Sequence, residues 1–163
     1  MTPSPPADPL VGQTITDAVL DEKLLTEKNH EVTLRSILSG LPSTYKGIVI
    51  FLFPAVDTPY CTDQACRFST SNDMFKQRGY EVYGMTSSRP GSAENWAKRN
   101  RLSYSILLDD KWNVIKYLQC TWMKFIINRS HVVIGRDAKI LAIERGVNAA
   151  KSSDRALEII NGL

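Results

Sequence analysis

The sequence predicts an α/β fold in which a mixed central β-sheet is flanked by helices. The segment Ile48 to Phe53 is almost wholly apolar and rich in β-branched and aromatic residues, a pattern typical of a central strand covered on both faces. Such strands alternate with segments of helical length along the chain, which predicts helices packed on the sheet. With 163 residues, the chain is long enough to bury a core without disulfide staples.

Composition excludes several classes of protein. With 43% hydrophobic and 23% charged residues, this is an ordinary globular sequence rather than a disordered one. Its longest apolar runs, such as residues 47–54, are far too short to span a bilayer, which excludes a membrane protein. The net charge of +3 is small and scattered, so nucleic acid is not an expected partner.

The N-terminus and the cysteines bear on domain organisation and compartment. Half of the eight prolines fall near the start, so residues 1–10 are predicted to form a disordered tail before a single domain over residues 11–163. No secretory signal or mitochondrial presequence is recognisable before Lys23. Three cysteines, an odd number, favour free thiols in a reducing compartment. A cytoplasmic location is expected. The nucleus is a secondary alternative, although Lys98–Arg101 is a poor nuclear signal and fits a solvated helix end.

The first half of the chain is predicted to form a β-hairpin and then a βαβ unit. Leu24–Thr26 and Glu31–Thr33 flank a polar turn, as the strands of a hairpin do. The central strand at 48–53 leads into a helix from Pro59 to about Gln77. A second strand, Tyr80–Thr86, follows that helix and completes the βαβ unit.

The second half continues the alternation and ends in two strands and a helix. Ser92 is the predicted N-cap of a helix through Arg101, and Ser152 or Ser153 is that of the last helix. The remaining predicted elements are a strand at Ser105–Leu108, a helical stretch at Lys111–Leu118, strands at His131–Ile134 and Lys139–Ile143, and the end of the last helix at Ile160. This ending after a βαβ unit is the layout of a thioredoxin-like fold.

The segment that follows the central strand carries the candidate chemistry. Thr58 is a good N-cap residue and Pro59 suits the first helical position, which places Cys61 in the first turn of the helix. Unpaired backbone N–H groups and the positive end of the helix dipole favour thiolate there. The position also lies beyond the carboxyl end of a central strand, where α/β folds bind ligands. The pattern predicts a reactive cysteine, and the alternative is that Cys61 is simply packed beneath the helix start.

A second cysteine follows on the same predicted helix. Cys66 comes five residues after Cys61, which corresponds to a rise of roughly 7.5 Å and a Cα separation of about 8–9 Å. A disulfide needs a Cα separation below about 7 Å. Either the two cysteines never bond or the first turns of the helix unwind during function.

These residues resemble the active-site motif of the peroxiredoxins. The pattern Pro54-x-x-x-Thr58-x-x-Cys61 after an apolar strand is similar to the family motif, and Cys66 places the chain near the peroxiredoxin Q branch, also called the bacterioferritin comigratory protein branch. Arg129 and the apolar residues after it match the strand that carries the family's active-site arginine. The resemblance covers roughly residues 10–163.

The resemblance implies a thiol-dependent peroxidase that reduces hydrogen peroxide and organic hydroperoxides in antioxidant defence and redox homeostasis. Cys61 would attack the peroxide and become a sulfenic acid, with Arg129 and Thr58 stabilising the reacting oxygens. Pro54 would shield the pocket from water. Cys66 would resolve the sulfenic acid as an intramolecular disulfide, which thioredoxin would reduce. The resemblance implies no metal, haem or flavin cofactor, and a monomer, with a dimer as the alternative.

Two other functions remain open from the residues alone. One is a general thiol–disulfide oxidoreductase on the same fold. The other is a zinc-binding module in which Cys61, Cys66 and Cys120 join a histidine, although His30 and His131 lack the pair spacing of zinc sites. Cys120 is either a buried thiol or an alternative resolving cysteine.

Overall fold

The computed structural model describes residues 8–163, and its elements follow the predicted alternation of strands and helices. In chain order they are α1 (Asp17–Leu20), β1 (Leu24–Thr26), β2 (Glu31–Val32), α2 (Leu34–Ser39), β3 (Gly47–Leu52), α3 (Pro59–Gln77), β4 (Tyr80–Thr86), α4 (Pro90–Arg99), β5 (Ser105–Leu108), α5 (Asn113–Tyr117), β6 (Thr121–Trp122), β7 (Ile126–Ile127), β8 (Ser130–Gly135), β9 (Ile140–Arg145) and α6 (Ser152–Asn161). None of these helices is both long and apolar enough to cross a bilayer.

Seven strands form one mixed sheet, in the order β2-β1-β5-β4-β3-β8-β9. β3 lies near the middle, parallel to β4 on one side and antiparallel to β8 on the other. β5 continues the parallel part, and the β1–β2 hairpin joins β5 in antiparallel orientation. β6 and β7 form a separate hairpin. The structure confirms the mixed α/β sheet with its N-terminal hairpin.

The residues of β3 explain why the sheet is buried on both faces. Successive side chains of a strand point to opposite faces, and every residue of β3 is buried. Ile50 and Leu52 pack in a core with residues of α1, α2 and α5, whereas Phe51 packs in a second core with residues of α3, α4 and α6. The Phe51 and Phe68 rings stack 4.5 Å apart, a geometry worth about 0.5–1.5 kcal/mol beyond area burial. This contact fixes the middle of α3 on the sheet.

The predicted helix caps are the least accurate part of the sequence analysis. α4 begins at Pro90, with Arg89 at the N-cap position, so the prediction of Ser92 as the cap is wrong. Proline fits the first turn because it has no N–H to leave unpaired. The cap position of α6 is Lys151, so Ser152 and Ser153 are not caps either. Both serines are instead buried inside the first turn.

Residues 8–10 fall within the predicted disordered tail but pack against the domain. Residues 1–7 lie outside the described part of the chain. Leu10 is buried in the core, and Asp8 forms an ion pair with Arg145 of β9. The hydrogen bond from Arg145 lowers the pKa of Asp8. The prediction of disorder is therefore wrong for residues 8–10.

Candidate active site

Cys61 lies in the first turn of α3, after the loop that follows β3. Its side chain is only 2% exposed and belongs to the core on the α3 face of the sheet. The loop begins at the half-buried Pro54, whose carbonyl accepts a 3.4 Å hydrogen bond from the Thr86 hydroxyl. It turns at Asp57, which has a φ of 58° and pairs with Arg99 of α4. The thiol therefore sits at the carboxyl end of β3, as predicted.

Thr58 occupies the N-cap position of α3, but its side chain does not cap the helix. Its φ of −115° and ψ of 147° are those of an N-cap residue, whereas its hydroxyl donates to the Ala55 carbonyl at 2.9 Å. The hydroxyl oxygen keeps lone pairs that can accept further hydrogen bonds. The N–H groups of Tyr60 and Cys61 have no acceptor within the helix. The helix start therefore favours an anionic sulfur or oxygen near Cys61.

Arg129 reaches Cys61 because of the pairing between β3 and β8. Ser130, the first residue of β8, lies opposite Leu52 at the end of β3. This register brings Arg129 beside the start of the loop to α3, and its Nη2 is 3.5 Å from Cys61 Sγ. A guanidinium stays protonated at any physiological pH. Arg129 thus provides a permanent positive charge next to the sulfur, where it can stabilise negative charge that develops in a reaction.

Gln64 is a site residue that the sequence analysis missed. It follows Cys61 by three residues on α3, so the two side chains lie on the same face of the helix. Its Oε1 accepts a 2.7 Å hydrogen bond from Arg129 Nη1, and the residue is fully buried. Arg129 is therefore held by Gln64 through one nitrogen while the other faces Cys61. The sequence signal that points to it is a glutamine three residues after the cysteine, on the same face of the predicted helix.

Most of the chain matches one protein family. The sequence profile of the AhpC/TSA family matches residues 11–143. The chain belongs to the AhpC/TSA family. Among curated relatives, the chloroplastic peroxiredoxin Q of Gentiana triflora is 43% identical over 65 residues, which are 40% of this chain and 30% of the relative. Peroxiredoxin bcp1 of Schizosaccharomyces pombe is 31% identical over 120 residues, 72% of this chain and 59% of the relative. The matches thus span less than two thirds of either relative.

Solved structures of two bacterial proteins share the fold. Peroxiredoxin Q of Xanthomonas campestris superposes with a TM-score of 0.83 at 19% identity, covering 94% of this chain and 97% of the other. BcpB of Mycobacterium tuberculosis gives a TM-score of 0.78 at 23% identity, with the same two coverages. Together with the curated relatives, these matches confirm the thioredoxin-like fold and the peroxiredoxin Q branch.

Cys66, the second cysteine of the peroxiredoxin Q pattern, lies half-buried on α3. Its Sγ is 3.8 Å from Asn100 Oδ1, beyond the end of α4. Burial raises the pKa of Cys66, and the nearby carboxylate of Asp63 raises it further. α3 is continuous from Pro59, and both cysteines are free thiols. Because an intact helix holds the two Cα atoms about 8–9 Å apart, a bond between the cysteines requires the first turns to open.

Cys120 lies on the other side of the sheet from Cys61. It is fully buried in the core formed with α1, α2 and α5, whereas Cys61 belongs to the core formed with α3, α4 and α6. Burial raises the pKa of Cys120, whose Sγ lies 3.5 Å from the Leu118 carbonyl oxygen. The sheet between the two thiols disfavours Cys120 as a resolving cysteine. It equally disfavours a zinc site built from all three cysteines, and residues 8–163 hold no cluster of three or more His, Cys, Asp or Glu side chains suited to a metal ion.

Proposed function

We propose that the protein is a thiol-dependent peroxidase that reduces hydrogen peroxide and organic hydroperoxides at Cys61. The observation that carries this proposal is the 3.5 Å approach of Arg129 Nη2 to Cys61 Sγ at the start of α3. A thiolate is the nucleophilic form of cysteine, and both a helix N-terminus and a guanidinium favour it. The same two groups can also stabilise negative charge on the oxygen that leaves a peroxide.

The proposed peroxide step uses Cys61, Arg129 and Thr58, with solvent as the proton source. The Cys61 thiolate attacks the terminal oxygen of the peroxide, so that an S–O bond forms while the O–O bond breaks. The other oxygen leaves as hydroxide or alkoxide beside Arg129 and takes a proton from solvent. Cys61 is oxidised to a sulfenic acid and the peroxide is reduced to water or an alcohol. Thr58 orients the peroxide by accepting a hydrogen bond from it.

Cys66 is the proposed resolving residue. After the first turns of α3 open, its sulfur attacks Cys61 Sγ, an S–S bond forms, and the sulfenic hydroxyl leaves as water with the proton of the Cys66 thiol. Opening also removes the burial that raises the pKa of Cys66, so the attacking thiolate becomes more abundant. We propose thioredoxin as the dithiol that then reduces the disulfide.

Stopped-flow measurement of peroxide consumption tests the proposed function. Purified protein with thioredoxin, thioredoxin reductase and NADPH is expected to consume hydrogen peroxide and cumene hydroperoxide, and a Cys120→Ala variant should match it. Efficient reduction of insulin disulfides without consumption of either peroxide would overturn the proposal. That result would identify a general thiol–disulfide oxidoreductase instead.

Replacing Arg129 by methionine should slow the peroxide step by about 10²-fold, the usual cost of removing one group that stabilises charge in a transition state. Alkylation of Cys61 by iodoacetamide at neutral pH should slow as well, because the positive charge beside the attacking sulfur is lost. Arg129→Lys should recover only part of the rate. Lysine keeps the charge, but it lacks the planar guanidinium whose two nitrogens contact Gln64 and Cys61 at the same time. The matched control is Arg78→Met, at an exposed position at the end of α3.

A full peroxide rate in Arg129→Met would contradict the role of this arginine. It would leave the helix start as the sole source of thiolate stabilisation at Cys61.

Oxidation should open the start of α3. The Thr62 hydroxyl accepts a 3.0 Å hydrogen bond from the Trp96 indole, and the Tyr104 hydroxyl donates to the Ala65 carbonyl. Opening the helix start breaks these contacts and several backbone hydrogen bonds, and each backbone bond is worth about 1 kcal/mol. The short loop closed by the disulfide offsets little of this. Amide exchange should therefore show lower protection over residues 59–68 in the oxidised protein, while β3 stays protected.

Equal protection of α3 in both redox forms would mean that the helix does not open. A bond between Cys61 and Cys66 would then be excluded by their spacing. Unfolding of the two forms offers a second check, because the reduced protein should have the higher Tm.

We propose a cytoplasmic location and a monomeric state. The proposed catalytic cycle requires a dithiol reductant, and reducing compartments supply one. Several curated plant relatives are named chloroplastic peroxiredoxins. Imaging of a C-terminal fluorescent fusion distinguishes cytoplasm, nucleus and organelle, and sedimentation velocity of the reduced protein distinguishes monomer from dimer.

A further inference from the structure

A buried chain of hydrogen bonds leads from Arg129 away from Cys61 and across three further elements. Gln64 Nε2 donates to Ser152 Oγ of α6 at 3.1 Å. Ser152 Oγ lies 2.9 Å from Nδ1 of His131 on β8, and His131 Nε2 lies 2.8 Å from Glu144 Oε1 on β9. Gln64, Ser152 and His131 are each at most 1% exposed. This series of hydrogen bonds links Arg129, beside the Cys61 thiol, to the carboxylate of Glu144 near the surface.

Donors and acceptors at the two ends allow one arrangement of protons along this chain. Arg129 can only donate, so Gln64 must turn its carbonyl oxygen to the guanidinium and its NH₂ group to Ser152. Glu144 is an acceptor when ionised, so His131 must carry a hydrogen on Nε2. With a neutral imidazole, Nδ1 then accepts from the Ser152 hydroxyl. Every group in the chain is satisfied, and every bond points from Arg129 toward Glu144.

The surroundings of His131 keep the ring neutral and fix its tautomer. Burial lowers the pKa of His131, and the hydrogen bond to Glu144 only partly opposes this. Arg155 of α6 pairs with Glu144 at 3.0 Å and disfavours a second positive charge on the ring. Burial opposes ionisation of Glu144, but hydrogen bonds from Arg155 and His131 lower the pKa of that carboxyl. On the β3 side the register partner of His131 is the apolar Phe51, and α3 contributes the neutral Gln64.

We propose that Ser152 and His131 are positioning residues for the peroxide step. The tautomer of His131 directs the Ser152 hydroxyl, Ser152 then accepts from the Gln64 amide, and Gln64 holds Arg129 against Cys61. This inference rests on the proposed peroxidase function, since it concerns how the arginine of that reaction is aimed.

A second proton on His131 would break the order of the chain. Both ring nitrogens would then donate, and the hydroxyl hydrogen of Ser152 would lose its acceptor in a dry site. Turning the Gln64 amide to supply that acceptor would direct its NH₂ group at Arg129, and two donors would face each other. Full satisfaction of the hydrogen bonds that hold Gln64 therefore depends on one protonation state of His131, a residue that does not touch Cys61.

Substitution of Ser152 tests the proposal through Cys61 itself. Ser152→Ala should slow both peroxide reduction and iodoacetamide alkylation about tenfold, less than the 10²-fold that a misplaced catalytic group can cost. Ser152→Thr keeps the hydroxyl and should restore both rates. Ser153→Ala is the matched control, because Ser153 is the adjacent buried residue of α6 and lies outside the chain. Wild-type rates in Ser152→Ala would overturn the proposal.

The protonation of His131 gives a second readout that a purely structural role would not change. ¹⁵N spectra of the wild type at pH 7 should show a neutral ring with its hydrogen on Nε2. In Gln64→Glu the new carboxylate accepts from both Arg129 and Ser152, so His131 must donate through Nδ1 as well and should be doubly protonated at pH 7. A hydrogen on Nδ1 in the wild type, or an unchanged ring in Gln64→Glu, would overturn the inference.

The two readouts also separate this inference from the proposed function. Alkylation rates and ¹⁵N shifts are measured without peroxide. A wild type that shows the expected tautomer and alkylation pattern but consumes no peroxide would refute the peroxidase proposal and leave the positioning chain intact. A protein that consumes peroxide but lacks the expected tautomer and alkylation pattern would refute only the proposed chain of positioning hydrogen bonds.

Discussion

Replacing Cys61 by serine is expected to abolish peroxide consumption, with a loss of at least about 10³-fold. Loss of an enzyme's nucleophile can cost about 10⁶-fold in rate. A serine hydroxyl is not ionised at neutral pH, and neither the helix start nor Arg129 can make it a comparable nucleophile. The measurement is stopped-flow consumption of hydrogen peroxide by the reduced variant, without a recycling system.

Two controls make the Cys61→Ser result interpretable. Cys120→Ala removes a thiol on the opposite face of the sheet and should keep the wild-type rate. Thermal unfolding of Cys61→Ser shows whether the buried site still folds around the shorter side chain. A folded Cys61→Ser protein that consumes peroxide at the wild-type rate would show that the proposed nucleophile is wrong.

Replacing Cys66 by serine should separate the two halves of the reaction. The variant should consume about one equivalent of peroxide at the wild-type rate, because the first step involves only Cys61 and its neighbours. Turnover with thioredoxin should then fail, since no thiol is available to displace the sulfenic hydroxyl. With excess peroxide the sulfenic acid should pass to sulfinic acid, which intact-mass spectrometry detects.

Sustained thioredoxin-linked turnover in Cys66→Ser would contradict the assignment of Cys66. It would require either direct reduction of the sulfenic acid or a second resolving thiol. Cys120 is poorly placed for that role, because the central sheet separates its core from the core that contains Cys61.

The parts of the fold that sequence predicts well are those with strong local signals. The apolar run of β3 is buried on both faces because it pairs on both edges and meets helices above and below, and α3 has the predicted bounds Pro59–Gln77. Its start is set locally by a proline at the first position and an extended Thr58. The location of Cys61 follows from those features alone, so no knowledge of distant residues was needed to predict it.

Residues that depend on distant contacts were not predictable in the same way. Serine is a common N-cap residue, but Ser152 is buried inside the first turn of α6. Its hydroxyl lies between Gln64 and His131, which are far away in sequence, and bonds to both. Thr58 stands at the N-cap position, yet its hydroxyl donates to the Ala55 carbonyl instead of capping. In both cases one hydroxyl has several competing partners, and only the tertiary structure decides among them.

Short elements were missed for a different reason. α2 is a six-residue helix whose start is fixed by a capping box between Thr33 and Ser36. The β6 and β7 strands are two residues each. Segments of this length contain too few positions to show the hydrophobic period of a helix (3.6 residues) or of a strand (2 residues). Their conformation depends instead on the position and direction in which the neighbouring elements end.

The most direct test of the proposed catalytic cycle maps the oxidation state of each cysteine. One equivalent of hydrogen peroxide is mixed with the reduced protein and the reaction is quenched at increasing times. A sulfenic acid should appear first on Cys61 and then be replaced by a disulfide between Cys61 and Cys66, while Cys120 remains an alkylatable thiol throughout. Initial oxidation at Cys66 or Cys120, or a disulfide that includes Cys120, would contradict the proposed cycle.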